Sequence, residues 1–94
     1  MNAPKEEIVI VTQNGWGKRT IPSNNTAITI TKKTGPIVLQ QKITKETKSI
    51  SITTKTGKAL ILDIKSIPLL GYLTQGIRII KLAEKDEVTN VFIN

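Results

Sequence analysis

Lys18 and Arg19 stand directly after Asn14-Gly15-Trp16-Gly17, a glycine-rich stretch whose backbone amides, with the two cations behind them, are suited to a phosphate oxygen. A second turn, Lys55-Thr56-Gly57-Lys58, repeats the association of glycine and cation, and Lys32, Lys33, Lys65, Arg78 and Lys81 lie in or beside other turns. These nine residues are the candidate DNA contacts. Lysines and arginines held on a rigid scaffold attract the closely spaced phosphates of a duplex and release condensed counterions as each contact forms. For any single lysine a solvated surface charge is the simpler reading; the collective excess carries the argument. The chain has 14 Lys and Arg against 7 Asp and Glu, a net charge of +7, which calls for an anionic partner or a role in solubility. Between Lys18 and Lys81 the only acids are Glu46 and Asp63, so the positive field belongs to the middle of the chain. Lys42, Lys45 and Lys48 add mobile cations.

Other chemistry is largely removed by composition. With neither cysteine nor histidine there are no disulfides, no usual zinc ligands, no thiol nucleophile and no Ser-His triad. No convergent acid, base or nucleophile set is visible, and the expectation is a domain that is no enzyme on its own, with no metal and no cofactor. One Trp, one Tyr and one Phe are too few for the stacking platforms of a single-strand binder. No segment reads as a recognition helix for the major groove, so backbone contact is expected in place of base reading. No apolar run approaches a signal-peptide core or a membrane span, which makes a cytoplasmic protein without membrane contact the expectation.

The elements that must hold these cations read as short strands. Ile, Val, Leu and Thr dominate, and aromatics are 3%. Residues 1–5 form a flexible lead. Ile8-Val9-Ile10-Val11 is a strand ended by Gln13-Asn14-Gly15, Lys18 to Ile21 returns from it, and Pro22 with Ser23-Asn24-Asn25 breaks it. Ala27 to Thr31 alternates with period two, and Ile37-Val38-Leu39 follows the Gly35-Pro36 break. Ser49 to Thr53, the turn at Gly57 and Ala59 to Leu62 repeat the opening hairpin. A shift of 42 places Ile50 on Ile8, Ile52 on Ile10, Thr54 on Thr12 and Gly57 on Gly15; a shift of 41 places Gly76-Ile77 on Gly35-Pro36. Such a period fits blades of four short strands. The boundaries expected are 6–43 for the first blade, 44–48 for a basic linker and 49–94 for the second. Gly15, Gly17, Gly57 and Gly76 are the structural turn residues, and Leu82 to Glu87 is the one stretch that suits a helical turn. Trp16 is expected to pack across its blade, with a place on a sugar as the alternative. Arg78, between Ile77 and Ile79, points to the opposite face from both.

Two stretches carry a resemblance. Ile8-Val9-Ile10-Val11-Thr12-Gln13-Asn14-Gly15-Trp16-Gly17-Lys18-Arg19-Thr20 is one, and the other runs from Gly57-Lys58 through Ile67-Pro68-Leu69-Leu70-Gly71 and Thr74-Gln75-Gly76-Ile77-Arg78-Ile79-Ile80-Lys81-Leu82 to Glu84–Val88. They resemble the repeat signatures of the C-terminal β-pinwheel domain found in the A subunits of bacterial DNA gyrase and topoisomerase IV. The resemblance implies an all-β fold of two β-pinwheel or propeller-type blades of short antiparallel strands. It implies a module that holds or orients duplex DNA, an accessory part of an ATP-hydrolysing topoisomerase of the isomerase class, and a bacterial, nucleoid-associated setting. Partners are then duplex DNA and the rest of a topoisomerase A subunit. The chain departs from the family in having two blades where five or six are usual. It also lacks a glutamine-arginine-glycine-rich box between Asn24 and Gly35, and the catalytic half with its tyrosine; Tyr72 belongs to a blade loop.

Two other function classes remain open at this point: an assembly or adaptor half-propeller that docks protein through open blade edges, and a small basic β protein for structured RNA. Unpaired edges further suggest a homo-oligomer completing a blade ring, three chains making six blades. The competing arrangement is a sandwich with Ile8, Ile10, Ile50, Ile52, Leu60 and Leu62 inside.

Overall fold

A computed structural model describes residues 7–21, 31–70 and 74–94. Strands β1 (Glu7–Thr12) and β2 (Trp16–Thr20) form the first hairpin, β3 (Ile37–Ile43) returns beside β1, and β4 (Ser49–Thr54) and β5 (Ala59–Asp63) form the second hairpin. A 3-10 turn (Ile64–Ser66), a two-residue strand β6 (Ile77–Arg78) and β7 (Val88–Ile93) complete the chain. All named pairings are antiparallel, in a four-stranded sheet ordered β3-β1-β2-β6 and a three-stranded sheet ordered β5-β4-β7. The all-β, two-bladed architecture expected from the strand pattern is therefore present. Among the described residues no helix is long and apolar enough to cross a membrane. The alternating segment from Ala27 to Ile30, the break at Pro22 to Asn25, the lead and Tyr72 lie outside the described residues.

The repeat of 42 survives down to single hydrogen bonds. Trp16 N donates to Thr12 Oγ1, and Lys58 N to Thr54 Oγ1, at 3.2 Å each. Gly15 N donates to the Thr12 carbonyl and Gly57 N to that of Thr54. Threonine closes both turns for one reason: its hydroxyl accepts an amide that the narrow turn leaves without a strand partner. The return strands are offset differently. Thr12 opposes Ile37 and Thr54 opposes Val88, so the third strands are related by 51 residues, and the shift of 41 between Gly35-Pro36 and Gly76-Ile77 does not describe the fold. The second repeat carries nine more residues before its last strand, and that extra length contains β6, which leaves its own sheet to pair with β2 of the first.

The sheets pack face to face, and alternation along β1 decides which residues meet. Val9 and Val11 join Ile50, Ile52, Ile64, Ile67, Ile80 and Val88 in the shared core. Leu60 and Leu62 pack against it, whereas Ile8 and Ile10 form a separate cluster on the opposite face of their sheet. The sandwich therefore encloses Val9 and Val11 in place of Ile8 and Ile10. A strand apolar on both faces does not reveal which face meets the partner sheet.

Candidate nucleic-acid interface

Four loops converge where the two hairpin turns lie side by side. Gln13 N donates to the Pro36 carbonyl at 2.9 Å, and its repeat counterpart Lys55 N donates to the Glu87 carbonyl at 2.8 Å. Val88 N, donating to the Gln13 carbonyl at 2.8 Å, joins the first turn to the start of β7, next to the Glu87 that the second turn holds. Asn14 Nδ2 holds the carbonyls of Lys32 and Lys33, at 3.1 and 2.9 Å. Ile79 N and Ile80 N both donate to the Gly15 carbonyl, and Arg78 opposes Trp16 across the β2–β6 pair. These bonds fix the segments bearing Lys32, Lys33, Lys55, Lys58, Arg78 and Lys81 at one end of the molecule, and all six side chains are exposed. A groove of about 260 Å³ between Asn14, Lys33, Arg78, Leu82 and Asp86 opens there. Arg78 also lies over the Trp16 ring, 5.8 Å from its centroid, a cation–π arrangement that holds the guanidinium in place without neutralising it. Trp16 itself is half-buried, and its Nε1 finds no acceptor among the described residues.

One acid at this end, Asp86, is tied up in hydrogen bonds, while Glu84 and Glu87 stand in the same loop. Asp86 accepts from Thr56 N at 3.1 Å, Thr56 Oγ1 at 2.9 Å and Glu87 N at 2.9 Å. Desolvation raises its carboxyl pKa, but the bonds from Thr56, Glu87 and Thr54 outweigh that and hold it below the ordinary 3.8. Asp86 thus ties the β6–β7 loop to the second hairpin turn, a role that the isolated sequence does not announce, because its partner Thr56 lies thirty residues away along the chain. The stretch expected to turn as a helix contains a tight turn, with Asp86 N bonded to the Ala83 carbonyl and Lys85 at φ 66°.

Lys18, Arg19 and Lys65 stand apart from that group. The glycine-rich turn before them suggests that Lys18 and Arg19 are exposed; instead both brace the fold. The Lys18 side chain is fully buried, with Nζ donating to the Thr74 carbonyl at 2.8 Å. Arg19 donates through Nε to the Ile67 carbonyl and through a terminal nitrogen to Glu7 Oε1, both at 2.7 Å. Its backbone also bonds Pro68 and Leu70, so the pair sews β2 to residues 67–70 and to Thr74. The two cations leave β2 on opposite faces, Lys18 beside Ile10 and Arg19 beside Val9, and on each face a long apolar stem packs along the sheet while the tip reaches a carbonyl beyond β2. Lys65 lies in the 3-10 turn at the far end, where Ile64 N bonds the Lys48 carbonyl; Lys42 and Lys45 flank that same end. Glycines serve the close crossing: a Cβ on Gly17 would come within 2.7 Å of Ile79 Cδ1, and one on Gly76 within 2.5 Å of the Gly17 carbonyl oxygen.

Burial lowers the Lys18 ammonium pKa from 10.5, so the unfolded chain binds a proton that the folded one gives up more easily. Stability must then rise with pH between the folded-state value and 10.5, because in that window the unfolded state binds more protons. Wild type is expected to gain stability relative to Lys18→Met as pH climbs toward that limit, measured by urea denaturation. A difference that does not vary with pH contradicts the assignment.

Among the described residues no group of three His, Cys, Asp or Glu is arranged to hold a metal ion. The architecture is that of solved topoisomerase domains. A DNA gyrase A C-terminal domain superposes with a TM-score of 0.78 at 23% identity, covering 93% of this chain and 33% of that one. The C-terminal domain of a DNA topoisomerase IV gives 0.77 at 20% identity, covering 100% of this chain and 32% of that one. The DNA gyrase A subunits of Staphylococcus aureus strains MRSA252 and NCTC 8325 are 33% identical over 97 residues, covering 92% of this chain. The chain spans 11% of the length of those relatives. The family described as DNA gyrase C-terminal domain, beta-propeller, matches residues 6–20 and 48–94. With both hairpin turns and the β6 crossover inside the matched residues, the chain belongs to the DNA gyrase A C-terminal β-propeller family.

Proposed function

We propose that this chain holds duplex DNA by its phosphate backbone, as an accessory module in the setting of a topoisomerase A subunit, with the DNA-cleaving and ATP-hydrolysing chemistry located elsewhere. The observation that carries the reading is the convergence of Lys32, Lys33, Lys55, Lys58, Arg78 and Lys81 on one end, with Asp86 beside them bound up in amide and hydroxyl bonds. Fixed cations facing a duplex make few base contacts, so binding is sequence-independent and driven by counterion release. Such a module acts where duplex DNA is, in the bacterial nucleoid.

Fluorescence anisotropy with two unrelated duplexes over a salt series tests this. Both are expected to bind alike, with a log–log salt slope approaching about −5 if six phosphates are neutralised at about −0.9 each. A flat salt response favours the adaptor reading, and preference for an A-form RNA competitor favours the RNA reading.

A further inference from the structure

We propose that Asn14 is a positioning residue of the DNA-facing end: its side-chain amide holds the Lys32-Lys33 turn in place, so that Lys33 lines the groove together with Arg78. The inference rests on the duplex-binding reading given above. Asparagine before glycine is ordinarily favoured in a hairpin turn because it tolerates a positive φ. That reason does not apply here. The positive φ, 83°, belongs to Gly15, and among the described residues Lys85 is the only non-glycine that has one. Position 14 uses the amide group itself. Nδ2 gives its hydrogens to the carbonyls of Lys32 and Lys33, at 3.1 and 2.9 Å, and Asn14 N donates to the Thr34 carbonyl at 3.0 Å.

The internal repeat gives the same task to the same position. Under the shift of 42, Asn14 corresponds to Thr56, and Thr56 N and Oγ1 grip Asp86 in the loop that leads into β7, as Asn14 grips the loop that leads into β3. The two grips end differently. Thr56 holds a carboxylate, whereas Asn14 holds the backbone of two lysines and leaves both of their side chains exposed. The lysine turn also closes on itself: Gly35 N donates to the Thr31 carbonyl at 3.0 Å, and the buried Thr34 hydroxyl donates to that same carbonyl at 3.2 Å. Among the described residues, the bonds that reach the Lys32 and Lys33 backbone from outside the turn come from Asn14 Nδ2. A lysine whose backbone is already fixed loses less freedom when its ammonium meets a phosphate, so the contact is stronger. Asn14 and Lys33 both line the groove of about 260 Å³, with Arg78 beside them.

Asn14→Leu keeps the size of the side chain and removes both donors; Asn14→Ala, which removes them without filling their space, is expected to give the same pattern. Hydrogen exchange followed by NMR on the 94-residue chain, without DNA, is expected to quicken about tenfold at Gly35, whose amide closes the lysine turn, and to stay unchanged at Gly57 in the second turn. Fluorescence anisotropy is expected to show duplex affinity about tenfold lower, because two rotamer-rich residues must then be ordered at the moment of contact. In a chain that already carries Lys32→Gln and Lys33→Gln, the same substitution is expected to change affinity by less than about twofold, since a residue acting through those lysines has nothing left to position. Equal losses in both backgrounds, an unchanged affinity when the lysines are present, or exchange at Gly35 that stays as it was or quickens only in step with Gly57 overturns the proposal. A wild-type chain that binds no duplex fails the duplex-binding reading instead, so the wild-type titration tells the two failures apart.

Discussion

Replacing Lys32, Lys33, Lys55 and Lys58 together by glutamine is expected to weaken duplex binding roughly a thousandfold at about 0.1 M salt and to flatten the salt slope by about 3.6. The figure follows from one released counterion equivalent, about 0.9, for each contact removed. All four side chains are exposed and belong to the loops knitted together by Gln13, Asn14 and Val88, so the loss falls on one surface. The fold should survive, since exposed substitutions usually shift stability by under about 0.5 kcal/mol each. Lys42, Lys45 and Lys48, exposed near the opposite end, supply the control. Their replacement removes nearly the same formal charge, and a slope change of less than about 1 is expected if the turn end makes the contacts. Equal losses from both sets would show that net charge alone attracts DNA, and would remove the case for a defined surface. Anisotropy titrations at four or five salt concentrations separate the two outcomes.

Gly15→Val is expected to cost several kcal/mol of stability, while Gly57→Val, its counterpart in the repeat, costs much less. Both glycines have positive φ, +83° and +94°, so valine meets backbone strain of about 1–3 kcal/mol at either position. Only Gly15 is crowded. Its new Cβ would approach the Ile80 carbonyl oxygen to 2.8 Å, and that oxygen belongs to backbone held in place by two amide bonds to Gly15 itself. Overpacking adds about 1–3 kcal/mol where neighbours cannot yield. Thermal denaturation should place the Gly15 variant far below the Gly57 variant. Matching melting temperatures would mean that the crossing of residues 76–82 over the first hairpin contributes little to the folded state.

Much was legible along the chain, for reasons that are local. The alternation of Ile50 and Ile52 with Ser51, and the threonine and glycine of each turn, specify a hairpin through neighbours only a few residues apart, so the strands β1, β2, β4 and β5 and the repeat of 42 can be read directly. The patterns around Gly15 to Thr20 and Thr74 to Leu82 likewise suffice to recognise the family. Tertiary structure decided the rest. Whether Val9 and Val11 or Ile8 and Ile10 enter the shared core depends on which face of a doubly buried strand meets the other sheet. The departure of Ile77-Arg78 into the first sheet depends on a loop nine residues longer than its counterpart. Lys18 and Arg19 look like a phosphate clamp in one dimension because a basic pair after glycines reads the same whether solvent or a crossing segment lies above it. The carbonyls of Ile67 and Thr74 that engage them lie about fifty residues further on. Local sequence specifies turns and strand faces, whereas the cost of burying a charge is set by partners that only the folded chain brings within reach.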